Sequence, residues 1–277
     1  MKKMLSLALV LVLMMSLAAC GAKTETPAAT TAPAAAAETT AAAADTEAPA
    51  AEVKTIEAGK LIMSTNASFP PYEMIADDGS IEGIDVEVAG AIAKKLGLEL
   101  EVDDMDFDAA LLAVQQNKSD IVMAGVTVTD DRKLVMNFTD SYATGVQVVI
   151  VKEGSDVTLD NLGEKMIGTQ RGTTGYIFTS DDYGDDHVTA YDNGASAVQA
   201  LQNGQVDCVV IDAAPAEAYV EANPGLTILD TEYVVENYAI GVNKDNTALL
   251  DAINGALAEL TADGTIDTII GKYITAE

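Results

Sequence analysis

The stretch Ala124 to Lys133, AGVTVTDDRK, follows the apolar run Ile121-Val122-Met123 and carries the residue types that hold a small carboxylate. A β-branched strand that stops at Gly125 gives way to the hydroxyls of Thr127 and Thr129, to free backbone N–H groups and to the guanidinium of Arg132. The rigid fork of an arginine matches two carboxylate oxygens at once, and Thr127 with the N–H groups of the turn can satisfy the remaining lone pairs. Taken alone, the commoner outcome for such a stretch is a solvated loop whose Arg132 pairs loosely with Asp130 or Asp131, because exposed ion pairs are frequent and contribute little.

The elements that position these groups read as α/β units: short β-rich segments alternate with helical patterns, the signature of mainly parallel sheets flanked by helices. Strands are predicted at Lys60–Thr65 and Leu98–Val102, and a helix over Ile84–Gly97 with its apolar stripe at Val88, Ala89, Ile92, Ala93 and Leu96. In a second helix Phe107, Ala110, Leu111 and Val114 fall at i, i+3, i+4, i+7, which makes Phe107 a candidate core residue. An internal repeat emerges when VQQNKSDIVMAG, Val114 to Gly125, is laid beside LQNGQVDCVVID, Leu201 to Asp212. Each is a helix end, a polar turn, an Asp and a buried strand; Asp120 then matches Asp207, and Gly125 matches Asp212. The repeat is short, and two generic helix-to-strand units would also produce it.

Two longer strands, Gly145–Lys152 and Tyr238–Asn243, are predicted to cross between the repeated halves, and two crossings imply a cleft and a hinge. The expected fold is therefore α/β and two-lobed. Residues 55–145 form lobe 1, with 243–277 returning to it, and residues 146–242 form lobe 2. An Asp such as Asp212, at the carboxyl end of a parallel strand, faces the crevice where α/β sheets bind ligands, although it could equally cap the helix that starts at Ala213.

The amino end has the layout of an export signal, residues 1–19: Lys2 and Lys3, an uninterrupted apolar core, then small residues before Cys20. Its apolar run is shorter than the roughly 20 residues a bilayer core needs. Leu17-Ala18-Ala19-Cys20 resembles the bacterial lipobox, which implies a lipid on Cys20, attachment to the bilayer through that residue alone and an extracytoplasmic address. Residues 20–54 are Ala, Thr, Pro and Glu with almost nothing large enough to bury, so a tether without fixed structure is expected. Cys208 is left without a partner and is read as a small buried hydrophobe. A net charge of −29 with 15 Lys and Arg and no basic run argues against nucleic acid as a partner. One histidine and no Cys cluster give no metal-ligand spacing, and no cofactor is expected.

From about Ile56 to the end the chain resembles the family 3 bacterial extracellular solute-binding proteins, the amino-acid receptors of ABC importers. The resemblance runs through TNASFPPYE at Thr65–Glu73, DDGSIEGIDVEVAGAIAKKLG at Asp77–Gly97, MDFDAALLAVQ at Met105–Gln115 and AGVTVTDDRK. It continues through NFTDSYATG at Asn137–Gly145, GTQRGTTG at Gly168–Gly175, VDCVVID, and ADGTIDTIIGKY at Ala262–Tyr273. It implies a type 2 periplasmic-binding-protein fold, a monomer, and a free amino acid held between the lobes for delivery to an ABC permease. Arg132 would clamp the α-carboxylate, helped by Thr127 and the backbone of Gly125; Asp212 would take the α-ammonium; Thr174 would meet the carboxylate from the second lobe. Phe69 would pack on the ligand side chain, with Phe107, Asn66 and Gln170 completing the pocket. Asn66 stands where several receptors for cationic amino acids carry Asp, a departure that disfavours Arg, Lys or His and leaves polar or acidic side chains open. The alternatives are an enzyme on the same scaffold, of the cyclohexadienyl dehydratase kind, for which only Asp212 and Glu73 offer an acid or base, and a ligand-sensing surface domain.

Overall fold

The computed structural model describes residues 53–230 and 232–274. The expected signal peptide, Cys20 and nearly all of the tether lie outside the described residues. The chain opens with β1 (Lys60–Thr65), a small antiparallel sheet of β2 (Ser68–Phe69), β3 (Glu73–Ile75) and β4 (Ile81–Glu82), and helix α1 (Ile84–Leu96). In α1 the residues Val88, Ala89, Ile92 and Ala93 are buried, Lys94 and Lys95 are turned out, and Gly97 ends the helix in the left-handed conformation at φ 70°. There follow β5 (Glu99–Asp104), α2 (Phe107–Gln115), β6 (Ile121–Val122), the short α3 (Asp130–Val135) and the long β7 (Met136–Lys152). The second half holds β8 (Ile167–Gln170), α4 (Thr174–Tyr183), β9 (Val188–Tyr191), α5 (Gly194–Gln202), β10 (Cys208–Asp212), α6 (Ala213–Ala222) and β11 (Leu226–Ile228). The chain then crosses back in β12 (Val234–Asn243), and α7 (Thr247–Ala262) and α8 (Thr265–Tyr273) pack on α1.

Strand order is β5-β1-β6-β12-β7-β10-β8-β9, with β11 added to β7. The two halves repeat one topology. In each, the first strand of the unit sits in the middle and pairs in parallel with the second and third, as β5-β1-β6 on one side and β9-β8-β10 on the other. The Asp residues of the sequence repeat do the same job in both halves. Asp120 accepts from Ile62 N at 2.9 Å while its own N–H donates to Ile62 O at 2.8 Å; Asp207 accepts from Met166 N at 2.8 Å and donates to Met166 O at 2.7 Å. Each carboxylate thus pins the third strand of its unit to the start of the first, a charge-assisted bond worth about 1.5–3 kcal/mol. The repeat is carried by structure and is not a coincidence of two helix ends.

The crossing strands are longer than the sequence predicts. β7 begins at Met136 and not at Gly145, and β12 at Val234 and not at Tyr238; polar residues such as Asn137, Asp140, Ser141 and Asn237 interrupt the apolar runs and hide these beginnings. The two strands pair antiparallel from Val234↔Gln147 to Asn243↔Met136, with register shifts on either side of Ala239. Such irregularities bend a ribbon and raise its twist. Thr139 Oγ1 accepts from Ile240 N at 3.0 Å and so replaces a ladder bond lost at the bend.

Cys208 is free and wholly buried in the second-lobe core with Val149, Ile167 and Val210, and burial pushes its thiol up to about 12, so it acts as an inert hydrophobe.

Candidate functional site

One cavity gathers residues from both halves of the chain. Asn66, Phe69, Phe107, Gly125, Thr127 and Arg132 reach it from the first half, and Gln170, Thr174 and Asp212 from the second. All nine residues predicted to form the site therefore line the same space, together with Glu73, Ala124 and Thr173. Stretches 146 residues apart in sequence, from Asn66 to Asp212, meet at strand ends: Asn66 follows β1, while Gln170 and Asp212 end β8 and β10.

Arg132 does not form the solvated pair that its loop alone suggests. Thr129 caps α3 by accepting from Arg132 N at 3.2 Å, Asp130 and Asp131 occupy the favourable first turn, and the guanidinium folds back to 9% exposure. The surface pair is instead Lys133 with Asp130. Nη1 of Arg132 donates to Thr127 O at 2.8 Å and Nη2 to Gly172 O at 3.0 Å, so one side chain ties the two lobes together. Its carbon lies 5.4 Å from the centre of the Phe107 ring, a cation–π contact that orients the plane of the fork. Burial lowers the Arg132 pKa to about 10 against the opposing pull of Glu236, Asp108 and Asp212, and the group stays charged at neutral pH. A guanidinium has five N–H donors, and two contacts leave donors for an anion.

The loop before α3 is fixed by the hinge itself. Ala239 N donates to Val126 O and Val128 N to Asn237 O, both at 3.1 Å, so Thr127 is clamped against β12. Its hydroxyl points inward, donating to Glu236 Oε2 at 3.1 Å and lying 3.5 Å from the hydroxyl of Thr174 in the opposite lobe. Thr173 caps α4, its side chain accepting from Tyr176 N, and Thr174 is the first residue of the helix.

Asp212 occupies the N-cap position of α6 but makes no side-chain cap bond. Its carboxyl turns to Gln147 Nε2, at 2.9 Å, and to the hydroxyl of Tyr238. Burial pushes its pKa up to about 7 and the charge of Glu236 adds to this, while the bonds from Tyr238 and Gln147 pull it back.

Gly125 differs from expectation. Its N–H is not free for a ligand; it donates to Asp85 Oδ2 at 2.9 Å. What the position requires is the absence of a side chain: φ is 55°, and a Cβ would lie 2.7 Å from Phe69 Cε1. Asp85 also accepts from the Tyr142 hydroxyl at 2.6 Å, and burial raises its pKa to about 6 despite both bonds. Glu73, fully buried beside it, has no hydrogen-bond partner for either oxygen, and burial followed by the charge of Asp85 favours its neutral form.

At the other end of the cavity the amides of Asn66 and Gln170 join across the lobes, Gln170 Nε2 donating to Asn66 Oδ1 at 2.9 Å, while Asn66 Nδ2 donates to Met105 O at 2.8 Å. Phe69 stacks against Tyr72 with centroids 5.8 Å apart, and Phe107 belongs both to the cavity wall and to the core formed with Ala110 and Val114. The cavity thus offers a cationic fork with a hydroxyl, an acidic group, apolar walls and paired amides. That set matches a small zwitterion with a polar side chain.

Sequence reading missed Asp85, Gln147, Glu236 and Tyr238. A signal was present for two of them. Asp85 falls on the stripe Asp85, Val88, Ala89, Ile92, the apolar face of α1, and Glu236 alternates with the buried Tyr238 and Ile240. A carboxylate on an inward-facing position has a partner or a task.

The model of the family described as "Bacterial extracellular solute-binding proteins, family 3" matches residues 61–276. The chain is 34% identical over 222 residues to the "Probable histidine-binding protein" of Neisseria gonorrhoeae, covering 78% of this chain and 83% of that one. It is 34% identical over 226 residues to the arginine-binding extracellular protein ArtP of Bacillus subtilis, covering 79% and 87%. Among solved structures, an ancestral arginine-binding protein bound to arginine superposes with a TM-score of 0.74 at 41% identity over 78% of this chain and 98% of its own. The same kind of protein bound to glutamine gives 0.75 at 40% over 79% and 99%. These relatives are binding proteins with a type 2 periplasmic-binding-protein fold, and this chain shares that fold. By the extent of the family match and the level of identity, it belongs to the family 3 bacterial extracellular solute-binding proteins.

Proposed function

We propose that the protein is an extracytoplasmic receptor, anchored to the membrane through a lipid on Cys20, that captures one free amino acid and hands it to an ABC permease. Arg132 with Thr127 and Thr174 holds the α-carboxylate, and Asp212 holds the α-ammonium. Phe69 and Phe107 sandwich the side chain, whose polar tip meets Asn66 and Gln170. What carries the reading is the convergence of a guanidinium from one half of the chain and a carboxyl from the other on a single cavity. The moving bodies are residues 55–145 with 243–277, and residues 146–242, rotating about the bend in β7 and β12. A ligand that touches both bodies binds the closed form better than the open one and shifts the population toward it.

The family match and the named relatives support an amino acid as ligand, and the relatives bring arginine, histidine and glutamine forward, which outweighs the case against a cationic ligand drawn from Asn66. The Asn66–Gln170 amide pair supports a polar side chain and does not require a charged one. A thermal-shift screen of the purified protein against the common amino acids tests the reading, because a ligand at 100 times its Kd stabilises the folded state by about 2.7 kcal/mol. Arginine and glutamine are expected to raise Tm; no response to any amino acid would end the proposal. The anchor is tested separately: Cys20→Ser should move the protein from the detergent phase to the aqueous phase on phase partitioning, and unchanged partitioning would remove Cys20 from that role.

A further inference from the structure

The strands that cross between the lobes carry two buried polar side chains which the receptor reading leaves without a task, Gln147 on β7 and Glu236 on β12. The amide nitrogen of Gln147 donates to two carboxyl groups, Asp212 Oδ2 at 2.9 Å and Glu236 Oε2 at 3.0 Å. The same oxygen of Glu236 accepts from Thr127 Oγ1 at 3.1 Å, and Glu236 Oε1 and Gln147 Oε1 are buried with no partner. A continuous chain, Thr127–Glu236–Gln147–Asp212, therefore links the carboxylate end of the site to its ammonium end through both hinge strands. It places two acids on one amide in a buried wall. Two like charges so held cannot both ionise cheaply unless a cation joins them.

We propose that Gln147 and Glu236 are positioning residues for the ammonium end of the site: they aim Asp212 at the ligand and make capture of an amino acid release a proton from Asp212. The inference rests on the receptor reading above. In the unliganded site burial and the nearby charge of Glu236 favour a protonated Asp212, and an arriving ammonium favours its ionised form. One carboxyl O–H bond then breaks and its proton passes to water, with no change of oxidation state. A route exists, since Asp212 also lines a second cavity on the hinge side, with Tyr72, Gly145, Glu217 and Tyr238.

The other groups around Asp212 do not remove the effect. Tyr238 on β12 donates to it, Tyr72 and Glu73 face it from the segment before α1, Arg132 acts on it from α3, and Glu217 follows it by one turn in α6. Arg132 lowers the cost of ionisation, whereas Glu236 raises it. The balance leaves Asp212 titrating near 7, chiefly through burial with Glu236 adding to it. Because the charged form binds the ammonium, affinity must rise with pH through that value and level off above it, the slope of log affinity equalling the protons released.

Calorimetry with L-arginine and L-glutamine as probes, in two buffers of different ionisation enthalpy, counts those protons. The wild-type protein is expected to release about one proton per ligand near pH 6 and almost none near pH 8.5. Glu236→Gln, which keeps the shape of the side chain, should cut the release near pH 6 to about half and move the rise in affinity down by about one pH unit. A purely structural role would lower affinity at every pH and leave the proton count alone. An unchanged count in Glu236→Gln, or no release from the wild type while it binds, overturns the inference and spares the receptor reading. Wild-type protein that binds no amino acid at any pH overturns both. Should Glu236→Gln fail to fold, Glu236→Ala, which removes the acid altogether, takes its place in the same count.

Discussion

Arg132→Ala is expected to weaken amino-acid binding by about 100-fold or more, since truncating one partner of a buried, hydrogen-bonded charge pair costs about 2–5 kcal/mol. The loss has two sources. The fork that faces the ligand carboxylate disappears, and so does the bond from Nη2 to Gly172 O that joins the lobes. The fold itself should survive, because the guanidinium sits at the wall of a cavity and the space it leaves opens to water, not to a closed core. Arg132→Lys keeps the charge but not the planar fork, and it should fall between the two. Calorimetry with L-arginine and L-glutamine, alongside thermal unfolding of the ligand-free variants, checks both halves of the statement. Wild-type affinity in Arg132→Ala would take the residue out of the site; collapse of the unliganded fold would assign it to the scaffold.

Asp212→Asn should produce the second large effect, and a selective one. The replacement keeps an oxygen for Tyr238 or Gln147 but removes the charge that faces an ammonium group. Binding of an α-amino acid is expected to fall about 30-fold or more, in the range for losing one side of a buried ion pair. The matching des-amino acid should bind the variant as well as it binds the wild type, or better, because no uncompensated carboxylate then faces a ligand that has no cation. Competition of the two ligands on both proteins is the measurement. Equal losses would mean that Asp212 shapes the pocket without reading the ammonium.

The residues proposed to do this chemistry were legible before any fold was known, chiefly through the resemblance to the family. AGVTVTDDRK, GTQRGTTG and VDCVVID each gather residue types suited to one end of a zwitterion, and their order along the chain matches the family. Most elements were legible for a simpler reason. β1 falls on its predicted span, and α1 within a residue of its own, because their apolar residues come in a short run bounded by turn residues or repeat at 3.6. The short helix α3 and the beginnings of β7 and β12 escaped this logic. Six residues hold too few turns to show a period, and the hinge strands mix polar with apolar residues because one stretch of backbone serves two lobes.

Sequence by itself determined the class of fold, the internal repeat and the set of nine residues that meet in the cavity. Periodicity and side-chain chemistry, which are properties of neighbours along the chain, carried the fold class and the repeat, and the resemblance to the family carried most of the nine residues. Which donors remain free was decided only by tertiary structure. The Gly125 N–H is taken by Asp85, Thr173 caps α4, and Gln147 and Glu236 reach Asp212 from strands 65 and 24 residues away in sequence. A hydrogen bond acts over about 3 Å, and only the folded chain fixes which groups lie within that distance.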